Sequence, residues 1–283
     1  AGSDGNGTTP ATVACWNIRY IVKIQRKKMG EESVAITKKY LISRIDGKDL
    51  TRIETNIVRE FTMTVFVNDI EFASLSCSPS DLEYLAVGFI LSQGLVTNRE
   101  DITDIKADKS GKVWLYTSHK IDAGAKLKLT SSGGRSSDTS NIVKRIQSQV
   151  TIPADRVFSL MDEFDRYSRD FRKTGGVHSA ALCDAEKILI FHEDIGRHNA
   201  IDKVFGQCFM DGITTDNYFL LTSGRVPSDI MNKVALRKVP VLIARKSPTD
   251  LSVEIAEKAG VTLLGFVRDT RMNIYSHAWR IVR

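Results

Sequence analysis

The sequence predicts an α/β protein, with a larger C-terminal three-layer α/β/α domain and a smaller N-terminal α+β domain. Three observations predict it. In the second half, short and almost wholly apolar segments (218–221, 241–244, 261–267) alternate with amphipathic stretches of helical period. Strands buried on both faces and separated by covering helices read this way. In the first half the apolar residues instead alternate one by one around a single helical segment, the mark of half-buried strands. Between the halves, residues 128–140 read KLTSSGGRSSDTS, small, polar and without period. The expected organisation is a disordered tail over 1–12, the smaller domain over 13–127, a flexible loop and connector over 128–152, and the α/β domain over 153–283.

The elements follow in order. Residues 1–12 are rich in Gly, Ser and Thr and too poor in apolar area to order themselves. Trp16, Ile18, Tyr20, Val22 and Ile24 alternate and predict a strand. Segments 61–67 and 70–75 flank Asn68-Asp69, a hairpin turn. Ser78 then reads as a helix cap, with Pro79 in the first turn and Asp81 three residues after the cap. Leu82, Leu85, Ala86, Phe89 and Ile90 form one stripe, and Gly94 ends the helix. Strands are expected at 102–106 and 113–117, and a helix at 153–172 with Val157, Leu160, Met161, Phe164 and Phe171 on one face. Beyond it, strands at 177–183 and 187–191 lead into a helix at 197–210. Strand 218–221 leads to helix 227–237, and strand 241–244 to helix 248–259, before the strand at 261–267.

Bulk properties narrow the function. No apolar run approaches the roughly 18 residues of a membrane span, and no basic-then-apolar leader opens the sequence, so a cytoplasmic protein is expected. The four cysteines are scattered without C-x-x-C, which argues against a zinc ribbon and for buried thiols. A net charge of +6 suits an anionic partner, but there is no dense basic stripe. That disfavours nucleic acid and leaves a small phosphate-bearing ligand.

Three strand-to-helix junctions carry similar chemistry: EDIGRHN, TSGRVPSD and ARKSPTD. Each sets a base (Arg197, Arg225, Arg245 with Lys246) beside small or capping residues where a helix starts. Open α/β sheets bind ligands beyond the carboxyl ends of their strands, and helix N-termini present free N–H groups to anions. Side by side, the three junctions predict a multi-phosphate pocket. A metal site is not expected, because His192 and His198 stand six apart across a bend. Zinc deaminase chemistry needs H-x-E and P-C-x-x-C, and neither is present around His178. No phosphate-binding P-loop and no G-x-G-x-x-G helix start occurs. A Ser–His–Asp set can be drawn from Ser223, His198 and Asp194, which leaves a hydrolase as a distant alternative.

At these residues the sequence is similar to a known family. GGVHSAAL, EDIGRHNAIDKV, TSGRVPSDIMNKV, RKSPTDLSVEIAEKAGVTLLGFVRDTRMNIYSH and, upstream, FVNDIEFASLSCSPSDLEYLAVGFILSQGLV resemble the formate dehydrogenase accessory protein family, FdhD. The resemblance implies a larger domain of cytidine-deaminase-like type without the zinc site, and a homodimer. It implies a bound bis-molybdopterin guanine dinucleotide, a molybdenum cofactor carrying four phosphates and two guanines. It also implies sulfur transfer to that cofactor from a cysteine desulfurase, with formate dehydrogenase as the recipient. Carried over motif by motif, the cofactor-binding residues are His178, Asp194, Arg197, His198, Asn199, Ser223, Gly224 and Arg225. Lys246 and Ser247 follow from the third junction, and Phe266, Arg268 and Arg271 from GFVRDTR. The family places a Cys-Gly-x-Cys run after a lead resembling TSS, yet here Gly133 and Ser136 hold the persulfide positions. Two functions therefore stay open: a sulfurtransferase, or a chaperone that binds the cofactor or another guanine nucleotide without sulfur chemistry.

Overall fold

The computed structural model describes residues 34–119 and 145–283, all within one compact unit from Val34 to Arg283. The tail over 1–12, the strand expected over 16–24 and the loop carrying Gly133 and Ser136 lie outside the described residues.

The described chain opens with an antiparallel ribbon, β1 (Thr37–Asp46) and β2 (Asp49–Val58), paired from Thr37↔Val58 to Asp46↔Asp49. Sequence reading missed it. Leu41 and Ile45 are 66% and 73% exposed and both faces mix apolar with charged residues, so no buried stripe marks the strands. The one signal was Asp46-Gly47, with Gly47 at φ 63 in the tight turn.

A four-stranded sheet follows in the order β4-β3-β6-β5, from β3 (Phe61–Val67), β4 (Ile70–Cys77), β5 (Ile102–Ala107) and β6 (Lys112–Thr117). Helix α1 (Leu82–Ser92) covers it, and Val65, Leu75, Leu85, Phe89 and Leu115 share its apolar cluster. The expected cap is displaced. Ser78 is not helical; α1 starts from Asp81, held at φ 53, because Ser78 is committed to a different contact described below.

The larger sheet has six strands in the order β13-β12-β11-β10-β8-β9. They are β8 (His178–Cys183), β9 (Ile188–Asp194), β10 (Phe219–Thr222), β11 (Val241–Ala244), β12 (Thr262–Arg268) and β13 (Arg271–Ser276). β10, β11 and β12 are mutually parallel, while β8 runs antiparallel to both β9 and β10, so β9 to β12 all point one way apart from β8. Alternate residues serve opposite faces. Leu182, Leu220 and Leu242 pack with α4 (Arg197–Met210), α5 (Ser228–Leu236) and α6 (Asp250–Ala259). Ala181, Leu221 and Ile243 pack with α2 (Ala154–Tyr167). Short β7 (Ile152–Pro153) and β14 (Ile281–Val282) pair in parallel and tie the C-terminus to the start of α2.

Two expectations are corrected here. The helix expected over 153–172 is broken into α2 and α3 (Arg169–Thr174) at Ser168, whose hydroxyl bonds back to the Phe164 carbonyl and reaches Ser179. The break turns Phe171 outward, 49% exposed, off the buried stripe. Strand β9 also runs three residues beyond its expected end, which makes Asp194 a sheet residue.

The two layers meet where α1 crosses α4. A Cβ on Gly88 would lie 1.8 Å from the Asp202 carbonyl oxygen, and one on Gly206 1.9 Å from that of Tyr84. The backbones touch there.

Candidate functional site

Because β9, β10, β11 and β12 share a direction, their carboxyl ends line one edge of the sheet. His178 starts the antiparallel β8 at that same edge, opposite Asp194. All three junctions and the β12–β13 turn therefore open on one side. From β8 to β13 is four strand spacings, about 19 Å at ~4.8 Å each.

Following β9, Arg197 and His198 occupy the first turn of α4, which holds no acidic residue. The macrodipole favours anions at that end, so two basic side chains there are poorly placed for helix stability alone. The Arg197 Nε–H is buried and has no acceptor among the described residues. Its aliphatic stem lies against Gly224, where a Cβ would approach it to 3.1 Å, so glycine permits this arrangement. Ser223 accepts from the Ser179 N–H at 2.9 Å and stands 3.4 Å from His178 Nδ1. Burial, then the Arg197 guanidinium, with a smaller push from Lys246, lower the affinity of His178 for a proton, against the pull of Asp194. The neutral form of the His178 imidazole is thereby favoured beside the Arg197 guanidinium. His198 is 6% exposed, and its Nε2 lies 2.8 Å from Asp229 Oδ2 in the first turn of α5. Burial opposes ionisation of Asp229, yet the hydrogen bond to His198 holds its carboxyl down at about 2.

The outer part of the edge is more open. Val226 N–H donates to the Ser247 carbonyl and Phe266 N–H to that of Lys246, at 3.1 and 3.4 Å, which joins the second junction, the third and β12. Arg225, Lys246, Arg268 and Arg271 are exposed. Phe266 is 40% exposed at φ 53, a conformation bulky residues seldom hold. Arg268 and Arg271 face each other across the ladder, with no carboxylate paired to either among the described residues. Arg245 departs from the expected arrangement: it turns to Asp165 on α2 and to the Val267 carbonyl, away from the cationic cluster.

Asp194 and Asn199 are placed differently from the rest. Asp194 is fully buried and its carboxylate is spent internally. Oδ2 accepts from the Ser78 N–H and the Lys203 ammonium, and Oδ1 from the Gly196 N–H and the Asn199 amide, all between 2.7 and 3.0 Å. Asn199 also donates to the Ser76 carbonyl, and Ser78 Oγ accepts from the Ile195 N–H. These contacts fasten the first junction to the small sheet, and they leave Asp194 no acceptor for a guanine. The Ser223–His198–Asp194 set is not assembled, since each member has a different partner. Among the described residues no cluster of three or more His, Cys, Asp or Glu side chains has metal-site geometry.

Sequence reading missed Lys203, Ser78 and Asp229. Asp202-Lys203 did carry a signal, two charges between the apolar Ile201 and Val204 of an amphipathic helix.

The FdhD/NarQ family model matches residues 58–282. This chain belongs to the FdhD/NarQ family. It is 36% identical over 258 residues to Sulfur carrier protein FdhD of Listeria innocua, spanning 87% of this chain and 99% of that one. The Bacillus subtilis protein of the same name is 34% identical over 248 residues, 84% of this chain and 95% of that one. A crystal structure from Desulfotalea psychrophila, of a candidate formate dehydrogenase accessory protein, superimposes with a TM-score of 0.78. It shares 24% identity and covers 88% of this chain and all of that one, so the likeness shows the fold alone.

Proposed function

We propose that this FdhD/NarQ protein is a formate dehydrogenase accessory protein that holds bis-molybdopterin guanine dinucleotide along the sheet edge. The observation that carries the reading is the first turn of α4: Arg197 and His198 stand where the helix favours an anion, with a buried Arg197 Nε–H awaiting an acceptor. The wider edge fits the same cargo. Gly224 leaves room for Arg197, Arg268 and Arg271 present two guanidiniums suited to bidentate phosphate contact, and exposed Phe266 offers a face for a base. In this proposal His178, Arg197, His198, Ser223, Gly224, Arg225, Lys246, Ser247, Phe266, Arg268 and Arg271 contact the cargo. Asp194 and Asn199 hold the first junction in shape. The strand order supports the cytidine-deaminase-like layering of the larger domain, with the small sheet as a second domain.

The curated relatives are named sulfur carriers. In this proposal a member with a loop thiol would take its sulfur from a cysteine desulfurase. The binding-only form is favoured by the three cysteines among the described residues. Burial raises Cys77 and Cys208 to about 12 and Cys183 well above 9, so none offers a thiolate at neutral pH. Cys15, Gly133 and Ser136 lie outside the described residues. Formate dehydrogenase as client, a homodimeric state and a cytoplasmic location belong to the same proposal; among the described residues no helix is long and apolar enough to cross a membrane.

Calorimetry with GDP and ADP tests the binding reading. GDP is expected to bind more tightly, and failure of both to bind would remove it. Incubation with a desulfurase and cysteine, followed by peptide mass analysis, should find no sulfur on Cys77, Cys183 or Cys208. Sulfur on any of them would restore transfer by this chain.

A further inference from the structure

Asp229 belongs to none of the motif-derived contacts, yet it is the only protein partner of His198 among the described residues. It projects from the first turn of α5 to the first turn of α4, bridging two junctions. Its Oδ1 accepts the Ile230 N–H at 2.9 Å, which sets the carboxylate plane, while Oδ2 meets His198 Nε2 at 2.8 Å. Behind it, Lys233 on the next turn of α5 adds a stabilising charge and is itself held by buried Asp202 at 2.6 Å. Asp202 in turn accepts from Ser92 at the end of α1 at 2.7 Å. Polar contacts therefore run from the small layer to Lys233, whose charge acts on Asp229 through space.

An ionised carboxylate only accepts, so the nitrogen facing it must carry hydrogen. Nε2 of His198 is thereby the protonated position, and Nδ1, without a partner among the described residues, is the nitrogen left for a ligand. We infer that Asp229 is a positioning residue of this site, fixing the ring orientation and tautomer of His198 so that Nδ1 meets the bound nucleotide. The inference rests on the nucleotide reading for its consequence in binding, but its geometry can be tested without it.

The experiment is a double-mutant cycle read by GDP calorimetry, with long-range 1H–15N spectra of the histidine rings. His198 signals are identified by their loss in His198→Ala. In Asp229→Asn, GDP affinity should fall by about tenfold, and in a His198→Ala background the same change should cost nothing further. The wild-type ring should show hydrogen on Nε2, and Asp229→Asn should redistribute it, since an amide can donate where the carboxylate only accepted. Wild-type affinity in Asp229→Asn, or an equal loss with and without His198, would overturn the inference. If the wild-type protein binds no GDP, the nucleotide reading fails and the spectra decide alone. An unchanged tautomer then overturns the positioning role, and a redistributed one upholds it.

Discussion

Lys203 and Asp194 are both fully buried and 2.7 Å apart, and Asp194 ends β9 just before the first turn of α4. Their energetic meaning is asymmetric. A buried pair adds little over an apolar pair of the same shape, but removing one partner strands the other charge away from water. Lys203→Met should therefore destabilise by about 3–5 kcal/mol in urea denaturation, because Asp194 keeps its desolvation and loses its counter-charge. Restoring neutrality with Asp194→Asn in the same chain should recover part of the loss; no recovery would mean that shape, not charge, holds the joint. The ammonium also reaches the Glu193 carbonyl and Ser80, so it binds β9, α4 and the segment before α1 at one point.

At the level of elements, the crossing of α1 and α4 decides where the cationic first turn of α4 can stand. Gly88 and Gly206 permit backbone contact between the helices, and each would place a methyl under 2 Å from a carbonyl oxygen of the partner. Backbone cannot move aside as a flexible side-chain tip can. Gly206→Ala is expected to cost upwards of about 3 kcal/mol, beyond ordinary overpacking, because the helices must separate along the whole crossing. Equilibrium denaturation measures this. A loss below about 1 kcal/mol would show that the layers slide freely. The same crossing explains why α1 is buried nearly all round instead of along one stripe: the sheet takes one side and α4 the other.

Across the whole molecule, the topology gathers separate junctions into one long edge. Arg197 lies against Gly224 beyond β10, and Arg271 begins β13, three strands on, about 14 Å at the usual strand spacing. Sites so far apart act nearly independently when each meets a different part of the ligand. For the proposed bis-molybdopterin guanine dinucleotide cargo, Arg197→Ala and Arg271→Ala should each weaken binding by about 1.5–3 kcal/mol, a hydrogen bond to a charged group. The double variant should lose close to the sum, measured by calorimetry with circular dichroism as a check on folding. Strong non-additivity would mean the ligand uses one end of the edge or shifts along it.

Sequence alone determined the α/β alternation, most of the helices in the second half and the three junctions, because each rests on local periodicity or on residues close along the chain. Burial on both faces makes β10 and β11 continuous apolar runs, and capping chemistry marks the helix starts. The same locality set its limits. The β1–β2 ribbon buries no stripe, so its strands have no period to read. Ser78 looked like a helix cap because its true partners, Asp194 and Ile195, lie more than a hundred positions away. Asp194 read as a ligand contact because its motif puts it beside Arg197 and His198, whereas four internal donors consume its carboxylate. Which way Arg245 turned, and that Asp229 met His198, depended on how strands and helices from distant segments came together. Hydrophobic pattern is written along the chain, but the pairing of a buried charge is settled only by whatever tertiary packing brings within about 3 Å of it.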